Sequence, residues 1–381
     1  MSAPTILLAA GEPSGDLHGA GVARALKQRW PDARLFGLGG PRMAAEGVEL
    51  LARFEDLAVM GFVEVASRLP YFIRLLGDVR REMIARGTQL VIPIDYPGFN
   101  LRLSRAATEA GIPVLYYIAP QVWAWHRSRM KELARVTKRV ATILPFEADL
   151  LREAGADARF VGHPLLDLPE PAPDQAAFTA ANDLDADRPI LAIFPGSRHQ
   201  EVERHLETFA AAAALVQQEH PRVQPVIARA PHVPEQDYAA ASYPRVTDSH
   251  GLLRHARAAI VKSGTTTLEA AIAETPFVVA YKTHPLTYWL AERLVQVDHV
   301  ALANLVAGAR VVSELLQDQA TPQALAEAVS PLIEERSSAR LRMVSALGRV
   351  RHELASAEEG GGTTAERVVA LAADLLGERA S

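Results

Sequence analysis

Short apolar segments alternate with amphipathic ones along most of the chain, and this alternation constrains the fold more than any other feature. Strand-like runs such as Thr5–Ala10 and Leu90–Ile94 are each followed by a stretch with helical periodicity. Strands that alternate with helices form parallel sheets with helices on both faces. The alternation stops at the Pro-rich, acidic segment LLDLPEPAP and starts again at Pro189. We therefore predict an α/β protein with two Rossmann-like doubly wound domains and a cleft between them.

The domain boundaries follow from this interruption. We expect an N-terminal domain over residues 1–166 and a second domain over residues 167–350. Residues 351–381 then form a tail, in which a glycine run precedes a last helix. The Pro-rich segment between the two domains is predicted to be a linker, because it cannot form a helix interior or a central strand.

Composition excludes several classes of function. The 381 residues contain no cysteine, which rules out thiolate nucleophiles, zinc–thiolate sites and iron–sulfur clusters. With 40 basic and 45 acidic residues the net charge is −5, so nucleic acid is not expected as the main partner. The chain has no GxGxxG fingerprint, P-loop, HExxH motif or EF-hand loop, so no NAD and no metal are expected. No secretory signal is visible at the start of the sequence, which favours a cytoplasmic location.

The first candidate site is the loop GEPSGDLHG, which follows the first strand. In doubly wound folds such a loop binds ligands. Glu12, Asp16 and His18 place three titratable groups there and are candidate catalytic residues, while Ser14 is a candidate substrate contact. The alternative is a capped turn, in which Ser14 or Asp16 caps the following helix and His18 is satisfied locally.

The second candidate is Asp95 in IDYPGFN, at the carboxyl end of a strongly apolar strand. Side chains at this position face the ligand cleft of open α/β sheets. The alternative role is to cap a helix expected from Leu101, but Asn100 is better placed to do that. Asp95 is therefore our candidate general base.

Two further segments combine apolar or aromatic side chains with arginine. The segment QVWAWHRSR, which begins at Gln121, suits a sugar face or a phosphate, or simply packs its tryptophans under a loop. The segment from Val59 to Leu76 carries a large apolar load with interleaved arginines. It suits a membrane surface or an acyl chain, and the alternative is an ordinary core helix.

The second half contains two loops that each lie between a strand and a helix. In PGSR, Arg198 and backbone N–H groups make an anion site. SGTTTLE offers hydroxyls and N–H groups to a diphosphate, and Glu269 can accept hydrogen bonds from ribose hydroxyls. The candidate binding residues of this second loop are Ser263, Gly264, Thr265 and Thr266. Together the loops predict a nucleotide-diphosphate site.

The motifs GEPSGD, IDYPGFN, QVWAW, FVGHPLLD, PGSR and SGTTTLE occur in this order, and LANL follows at Leu302. This ordered set closely resembles the lipid-A-disaccharide synthase family, from about Leu7 to at least Leu305. The resemblance implies a GT-B glycosyltransferase, with two Rossmann-like domains and the active site between them. It also implies that the C-terminal helix packs back on the N-terminal domain.

The family's activity implies inverting transfer of the glucosaminyl unit from UDP-2,3-diacylglucosamine to the 6-hydroxyl of 2,3-diacylglucosamine 1-phosphate. The products would be UDP and the β-1,6-linked disaccharide 1-phosphate of lipid A biosynthesis, and no cofactor is implied. Asp95 matches the family's proposed base, and Asn304 falls in a segment that the family uses near the site. Arg198 and the hydroxyl-rich loop would hold the leaving diphosphate in place of a metal.

The family is peripheral on the inner face of the inner membrane of Gram-negative bacteria. The segment from Val59 to Leu76 would then meet the acyl chains or the membrane. A homodimer is one assembly that the sequence allows.

One position departs from another common form of the family motif, which has Asp where this chain has Gly98. The base is then Asp95 or, through a relay, Asp16 or His18. The alternatives are another GT-B enzyme of UDP-amino sugars, such as a 2-epimerase or a different lipid-linked transferase, and a non-catalytic nucleotide-sugar or lipid-binding module. The apolar segment argues against an epimerase, and the charged side chains at Asp95, Glu12 and Arg198 together argue against a binding module.

Overall fold

The computed structural model describes residues 3–54, 62–121, 127–168, 174–283, 299–358 and 360–377, with the backbone alone at 62–68 and 127–128. The chain divides into two compact units. The first comprises Met1–Asp167 together with Ser356–Ser381, and the second comprises Leu168–Ala355. Both ends of the chain therefore belong to the first unit.

The first unit is built on a seven-stranded parallel sheet with the order β3-β2-β1-β4-β5-β6-β7. Its strands are β1 (Thr5–Ala10), β2 (Arg34–Gly39), β3 (Glu49–Arg53), β4 (Leu90–Ile94), β5 (Leu115–Tyr117), β6 (Arg139–Thr142) and β7 (Ala158–Phe160). Its helices up to the linker are α1 (Pro13–Arg29), α2 (Pro41–Ala45), α3 (Phe62–Ala85), α4 (Pro97–Glu109), α5 (Arg127–Val136) and α6 (Pro145–Glu153).

Successive residues of β1 enter different apolar layers, as the two-residue period of a strand requires. Ile6 and Leu8 belong to one buried cluster, and Leu7 and Ala9 belong to another. Because both faces are buried, the strand reads in the sequence as a continuous apolar run.

The second unit repeats this plan with a six-stranded parallel sheet in the order β10-β9-β8-β11-β12-β13. Its strands are β8 (Ile190–Phe194), β9 (Gln224–Ala228), β10 (Arg245–Val246), β11 (Ala256–Lys262), β12 (Phe277–Tyr281) and β13 (Ser313–Leu316). Its helices are α7 (Gln175–Ala181), α8 (His199–Glu219), α9 (Ser249–His255), α10 (Thr266–Ile272), α11 (Leu302–Ala307), α12 (Pro322–Ile333) and α13 (Ser338–Ala355).

Each sheet has one point at which the direction of winding reverses. It lies between β1 and β4 in the first unit and between β8 and β11 in the second. Such a switch point opens a crevice at the carboxyl ends of the two strands, where doubly wound folds bind ligands. The strand orders confirm the predicted fold class of two Rossmann-like doubly wound sheets.

The last helix, α14 (Thr364–Leu375), packs against α1 and adds Val368 and Leu371 to the apolar cluster that contains Ile6. An ion pair of 2.6 Å joins Arg139 Nη1 to Asp374 Oδ2. The C-terminal segment thereby completes the core of the first unit.

A helix that crosses a membrane must be both long and apolar. In the described ranges, no helix combines the length and the apolar character that crossing a bilayer requires.

Candidate functional site

The candidate residues of the first unit gather where β1 and β4 end. A Cβ atom added to Gly11 would lie 2.3 Å from Cδ1 of Tyr96, so the loops after the two strands are in direct contact. The charge of Glu12 acts on Asp95 across this contact. The switch point therefore brings together Glu12 and Asp95.

Asp95 is a carboxyl group that holds its proton unusually tightly. Burial is the main cause, and together with the nearby charge of Glu12 it raises the pKa of Asp95 from 3.8 to about 6. A hydrogen bond from the backbone N–H of Tyr96 acts in the opposite direction. A carboxylate with this pKa is ionised at pH 7.5 and accepts a proton more readily than an exposed aspartate.

The backbone at Asp95 is strained and firmly held. Asp95 and Tyr96 have φ angles of 48° and 49°, a left-handed conformation that costs energy in residues with a Cβ. The carbonyl of Asp95 accepts hydrogen bonds from Nδ2 of Asn100 at 2.8 Å and from the hydroxyl of Tyr116 at 2.7 Å. Its N–H donates to the carbonyl of Tyr117 at 3.0 Å. These contacts fix the backbone from which the carboxyl group of Asp95 projects.

Asn100 does not cap the following helix, although the sequence led us to expect it. Helix α4 begins at Pro97 rather than at Leu101, because proline is well suited to the first turn. Asn100 is therefore inside the helix and caps nothing. Its buried amide also donates to the carbonyl of Ala9 at 3.0 Å, so it joins the ends of β1 and β4. Sequence reasoning missed this positioning role, although the asparagine was visible in IDYPGFN.

Asp16 has a structural role instead of the predicted catalytic one. Its side chain is 2% exposed. Oδ1 accepts the N–H groups of Gly40 at 2.7 Å and Met43 at 3.0 Å, and Oδ2 accepts the N–H group of Arg42 at 3.1 Å. Both oxygens are committed to the start of α2, so the structure does not support a proton relay through Asp16.

Glu12, at the N-cap of α1, and Ser14, in its first turn, are both exposed. The cap of α1 has no side-chain hydrogen bond, so neither Ser14 nor Asp16 caps it as the alternative interpretation expected.

His18 is a neutral side chain near a second buried histidine, His163, which comes from the FVGHPLLD motif. Burial lowers the pKa of His18 to about 4, and burial with the charge of His18 lowers the pKa of His163 to about 3. Nδ1 of His163 accepts the N–H of Leu165 at 3.3 Å. Within the described ranges no hydrogen bond links His18 to Asp95, so the relay through His18 stays a prediction.

His163 should make the protein less stable in mild acid. The folded state keeps this ring neutral, whereas the unfolded chain protonates it below pH 6.5, so the unfolding free energy falls as the pH decreases. We expect this histidine to contribute up to about 1.4 kcal/mol per pH unit below about pH 6. His163→Gln should flatten the decline between pH 7 and pH 5 in urea unfolding. Parallel curves for the variant and the wild type would contradict the assignment.

The second unit contains a cavity of about 460 Å³ at its own switch point, lined by the loops that follow β8 and β11. It brings together most of the predicted donor-site residues. The predicted residues that line it are Arg198, Ser263, Gly264, Thr265, Thr266 and Glu269. The Arg198 guanidinium is exposed and makes no hydrogen bond or ion pair with any residue that the structure describes.

Two charged residues in this cavity were missed by sequence reasoning. Nζ of Lys262 lies 2.8 Å from Oε1 of Glu201, and Oε2 of Glu201 accepts the N–H of Ser197 at 2.9 Å. Burial alone would raise the pKa of Glu201, but Lys262 and the Ser197 N–H lower it overall. Glu201 therefore holds the PGSR loop and keeps the ammonium group of Lys262 at the cavity wall.

Close packing requires a glycine in the PGSR loop. Gly196 has a φ of 134°, and a Cβ atom there would lie 2.4 Å from Cβ of Glu201. The loop and the Glu201 side chain are thus fitted to each other.

Glu269 lies on the cavity wall at the start of α10. Burial raises its pKa, and the charge of His250 opposes this shift. Ser263 is also mostly buried, and its hydroxyl donates to the carbonyl of Val300 at 3.3 Å.

Asn304 is a buried residue whose side chain makes its hydrogen bonds within the second unit. The residue is fully buried and does not line the cavity. Its Nδ2 donates to the carbonyl of Val312 at 3.0 Å and to Glu314 Oε1 at 2.8 Å, and its Oδ1 accepts the N–H groups of Val311 and Val312. Because its amide is fully used within the unit, Asn304 stabilises the turn before β13, and its contact with substrate stays a prediction.

Some predicted features fall partly outside the described residues. Gln121 is exposed at the end of a described range, but the tryptophans and His126 of its motif lie outside it. In the apolar segment, residues 59–61 lie outside as well. Its described part belongs to α3, where Leu69 is 51% exposed and Ile73 64% exposed.

A sequence profile of the family described as lipid-A-disaccharide synthetase matches residues 6–361. The chain belongs to this family. The lipid-A-disaccharide synthase of Acidobacterium capsulatum is 41% identical over 100% of this chain and 98% of its own length. The enzyme of the same name from Trichlorobacter lovleyi is 40% identical over 97% of both chains. That of Coxiella burnetii is 38% identical over 93% of this chain and 95% of its own.

Solved structures share the fold at much lower identity. A putative UDP-N-acetylglucosamine 2-epimerase from Listeria monocytogenes superposes with a TM-score of 0.67 at 10% identity, over 100% of this chain and 98% of its own. The calicheamicin glycosyltransferase CalG4 gives a TM-score of 0.62 at 19% identity over 99% of both chains. These similarities confirm the GT-B architecture. Since epimerases share it, the family and not the fold separates the two activities.

Membership of the lipid-A-disaccharide synthase family makes the chain a glycosyltransferase of lipid A biosynthesis. The membership implies a UDP-sugar donor and a lipid acceptor as its substrates.

Proposed function

We propose that this chain moves the diacylglucosamine unit of UDP-2,3-diacylglucosamine to the 6-hydroxyl of 2,3-diacylglucosamine 1-phosphate, with inversion at the anomeric carbon. Asp95 carries the proposal, because its carboxyl group has a pKa of about 6 and projects from a firmly held backbone at the switch point of a chain from this family. An inverting single displacement needs one such base.

The reaction is a balanced displacement. Asp95 accepts the proton of the acceptor 6-hydroxyl, and the hydroxyl oxygen forms the new bond to the anomeric carbon. The bond from that carbon to the diphosphate breaks on the opposite side, and UDP leaves with the electron pair. Glu12 sustains the raised pKa of Asp95 and so strengthens the base.

The second unit holds the donor in this proposal. Arg198 and Lys262 offset the charge that develops on the departing diphosphate, and the Ser263–Thr266 loop offers hydroxyl and N–H groups to its oxygens. Glu269 accepts hydrogen bonds from the ribose. The orientation of Lys262 is fixed by Glu201 before the donor binds.

The acceptor belongs to the first unit, which also meets the inner face of the inner membrane in this proposal. The exposed Leu69, Tyr71 and Ile73 on α3 support a surface that contacts acyl chains. Leu75 and Val79 of the same helix pack into the core, on a different side from Leu69 and Ile73. The helix can therefore present apolar side chains outward without loosening the fold.

A product assay tests the proposed function. The purified protein is mixed with both substrates in detergent micelles containing EDTA, and the products are identified by mass spectrometry. We expect disaccharide 1-phosphate and an equal amount of UDP. UDP without disaccharide would contradict the proposed acceptor, and the absence of both products, with and without magnesium, would contradict the transferase.

A further inference from the structure

The solvent-facing side of α4 carries arginines directly beyond the Asp95 loop. Arg102 and Arg105 are three residues apart and therefore lie on the same side of the helix. Both line two adjoining hollows, one of about 180 Å³ that reaches Pro97 and Gly98 and one of about 360 Å³ that extends to α3. Arg129 of α5 lines the first hollow and Arg80 of α3 lines the second. We call this surface, defined by the four arginines, the arginine groove.

The groove has an excess of positive charge. Its acidic lining residues are Glu109 and Glu132. Arg105 makes an ion pair with Glu132. Arg80 and Arg129 make no hydrogen bond or ion pair with the residues that the structure describes, and both are exposed. Among the described residues, these two guanidinium groups have no partner that a ligand would have to displace.

The other two guanidinium groups are held in place. The ion pair with Glu132 fixes Arg105 between α4 and α5, and Arg102 Nη1 donates to the carbonyl of Gly98. A fixed guanidinium group loses little freedom when it binds an anion, and its planar set of donors matches the oxygens of a phosphate.

The mouth of the groove lies close to the base. Gly98 is three residues after Asp95 and borders the first hollow, and a Cβ atom there would meet nothing within 4 Å. Because residue 98 is a glycine, its side chain neither narrows the mouth nor adds a negative charge to it.

We propose that the arginine groove binds the phosphate monoester of the sugar acceptor while the acceptor hydroxyl reaches Asp95. The inference rests on the proposed function and adds a subsite to it. Arginine side chains around a hollow suit a compact dianion, and the groove lies beside the group that must meet the other end of the same sugar. The groove thereby selects acceptors that carry a phosphate.

Paired acceptors test the subsite. Initial rates are measured in neutral detergent for 2,3-diacylglucosamine 1-phosphate and for the same sugar without its phosphate. Arg102→Gln and Arg129→Gln should lower kcat/KM for the phosphorylated acceptor about tenfold or more, the effect of losing a charge-assisted hydrogen bond. The rate with the phosphate-free acceptor should stay within about twofold of the wild type. Arg34→Gln is the matched control, because Arg34 is exposed at the start of β2, at the amino end of the parallel strands, whereas Asp95 follows their carboxyl end.

Vesicle binding separates the acceptor phosphate from anionic lipid headgroups. The same variants are sedimented with phosphatidylcholine vesicles, with and without phosphatidylglycerol. Variants that lose binding to the anionic vesicles but keep their preference between the two acceptors would overturn the subsite. An equal loss with both acceptors would also overturn it. If the wild type forms disaccharide from neither acceptor, the proposed function fails, and the subsite fails with it.

Discussion

Asp95→Asn should sharply lower turnover and at the same time stabilise the protein. We expect kcat to fall by about 10³-fold, the usual contribution of a general base. The folded state raises the pKa of this carboxyl group from 3.8 to about 6, so ionised Asp95 opposes folding at neutral pH. Removing the charge should increase the unfolding free energy by up to about 3 kcal/mol at pH 7.5. Initial rates and urea unfolding of the same preparation measure both effects.

The sign of the stability effect can be checked with pH. In the wild type, the unfolding free energy falls by this amount as the pH rises from about 4 to about 6. The reason is that Asp95 loses its proton at a lower pH in the unfolded chain than in the folded state. The advantage of the variant should therefore shrink at pH 4.5. Asp32→Asn, which removes an exposed carboxylate between α1 and β2, should change stability by less than about 0.5 kcal/mol. An active Asp95→Asn variant, or one no more stable than the control, would contradict the assignment of the base.

Gly196→Ala should disable the donor site through the backbone. The new methyl group would collide with Glu201, and the residue would be forced to keep a φ of 134°. Backbone strain costs about 1–3 kcal/mol, before the displacement of Glu201 is considered. Since Glu201 holds both Ser197 and Lys262, we expect the affinity for UDP to fall at least about tenfold. Isothermal titration with UDP measures the loss.

A second glycine of the same unit provides the control for this variant. Gly348 lies inside α13, and an added Cβ atom would be no closer than 3.9 Å to its neighbours. Gly348→Ala should stabilise the protein by about 0.5–1 kcal/mol and leave UDP binding unchanged. If both variants bind UDP like the wild type, the PGSR loop does not hold the diphosphate.

Local sequence patterns predict the framework of the fold well because a buried parallel strand is apolar on both faces. The strand Leu90–Ile94 has the predicted bounds. The topology of doubly wound folds predicts that Asp95 and the loops after β1, β8 and β11 lie at the carboxyl ends of the strands, where ligands bind. Helix starts were predicted less well, since α4 begins four residues before Leu101, at Pro97.

The roles of single polar residues were harder to predict because their partners are distant in the sequence. The sequence around Asp16 suggests a catalytic acid, but in the folded chain its oxygens accept the backbone N–H groups of Gly40, Arg42 and Met43. Likewise, 61 positions separate Lys262 from Glu201, and no local sequence pattern around either residue predicts their ion pair. Periodicity shows which face of an element is buried, whereas hydrogen bonds across the fold depend on how the loops pack.

The packing of α14 on α1 has a consequence for biosynthesis. Val368 and Leu371 belong to the same apolar cluster as Ile6, although more than 350 residues separate them along the chain. During translation, the seven strands of the first unit emerge from the ribosome before α14 is synthesised. The nascent N-terminal unit therefore lacks part of its core and exposes apolar surface until translation ends. The second unit lies wholly between these segments and can fold earlier. The half of the protein that is made first is therefore finished last.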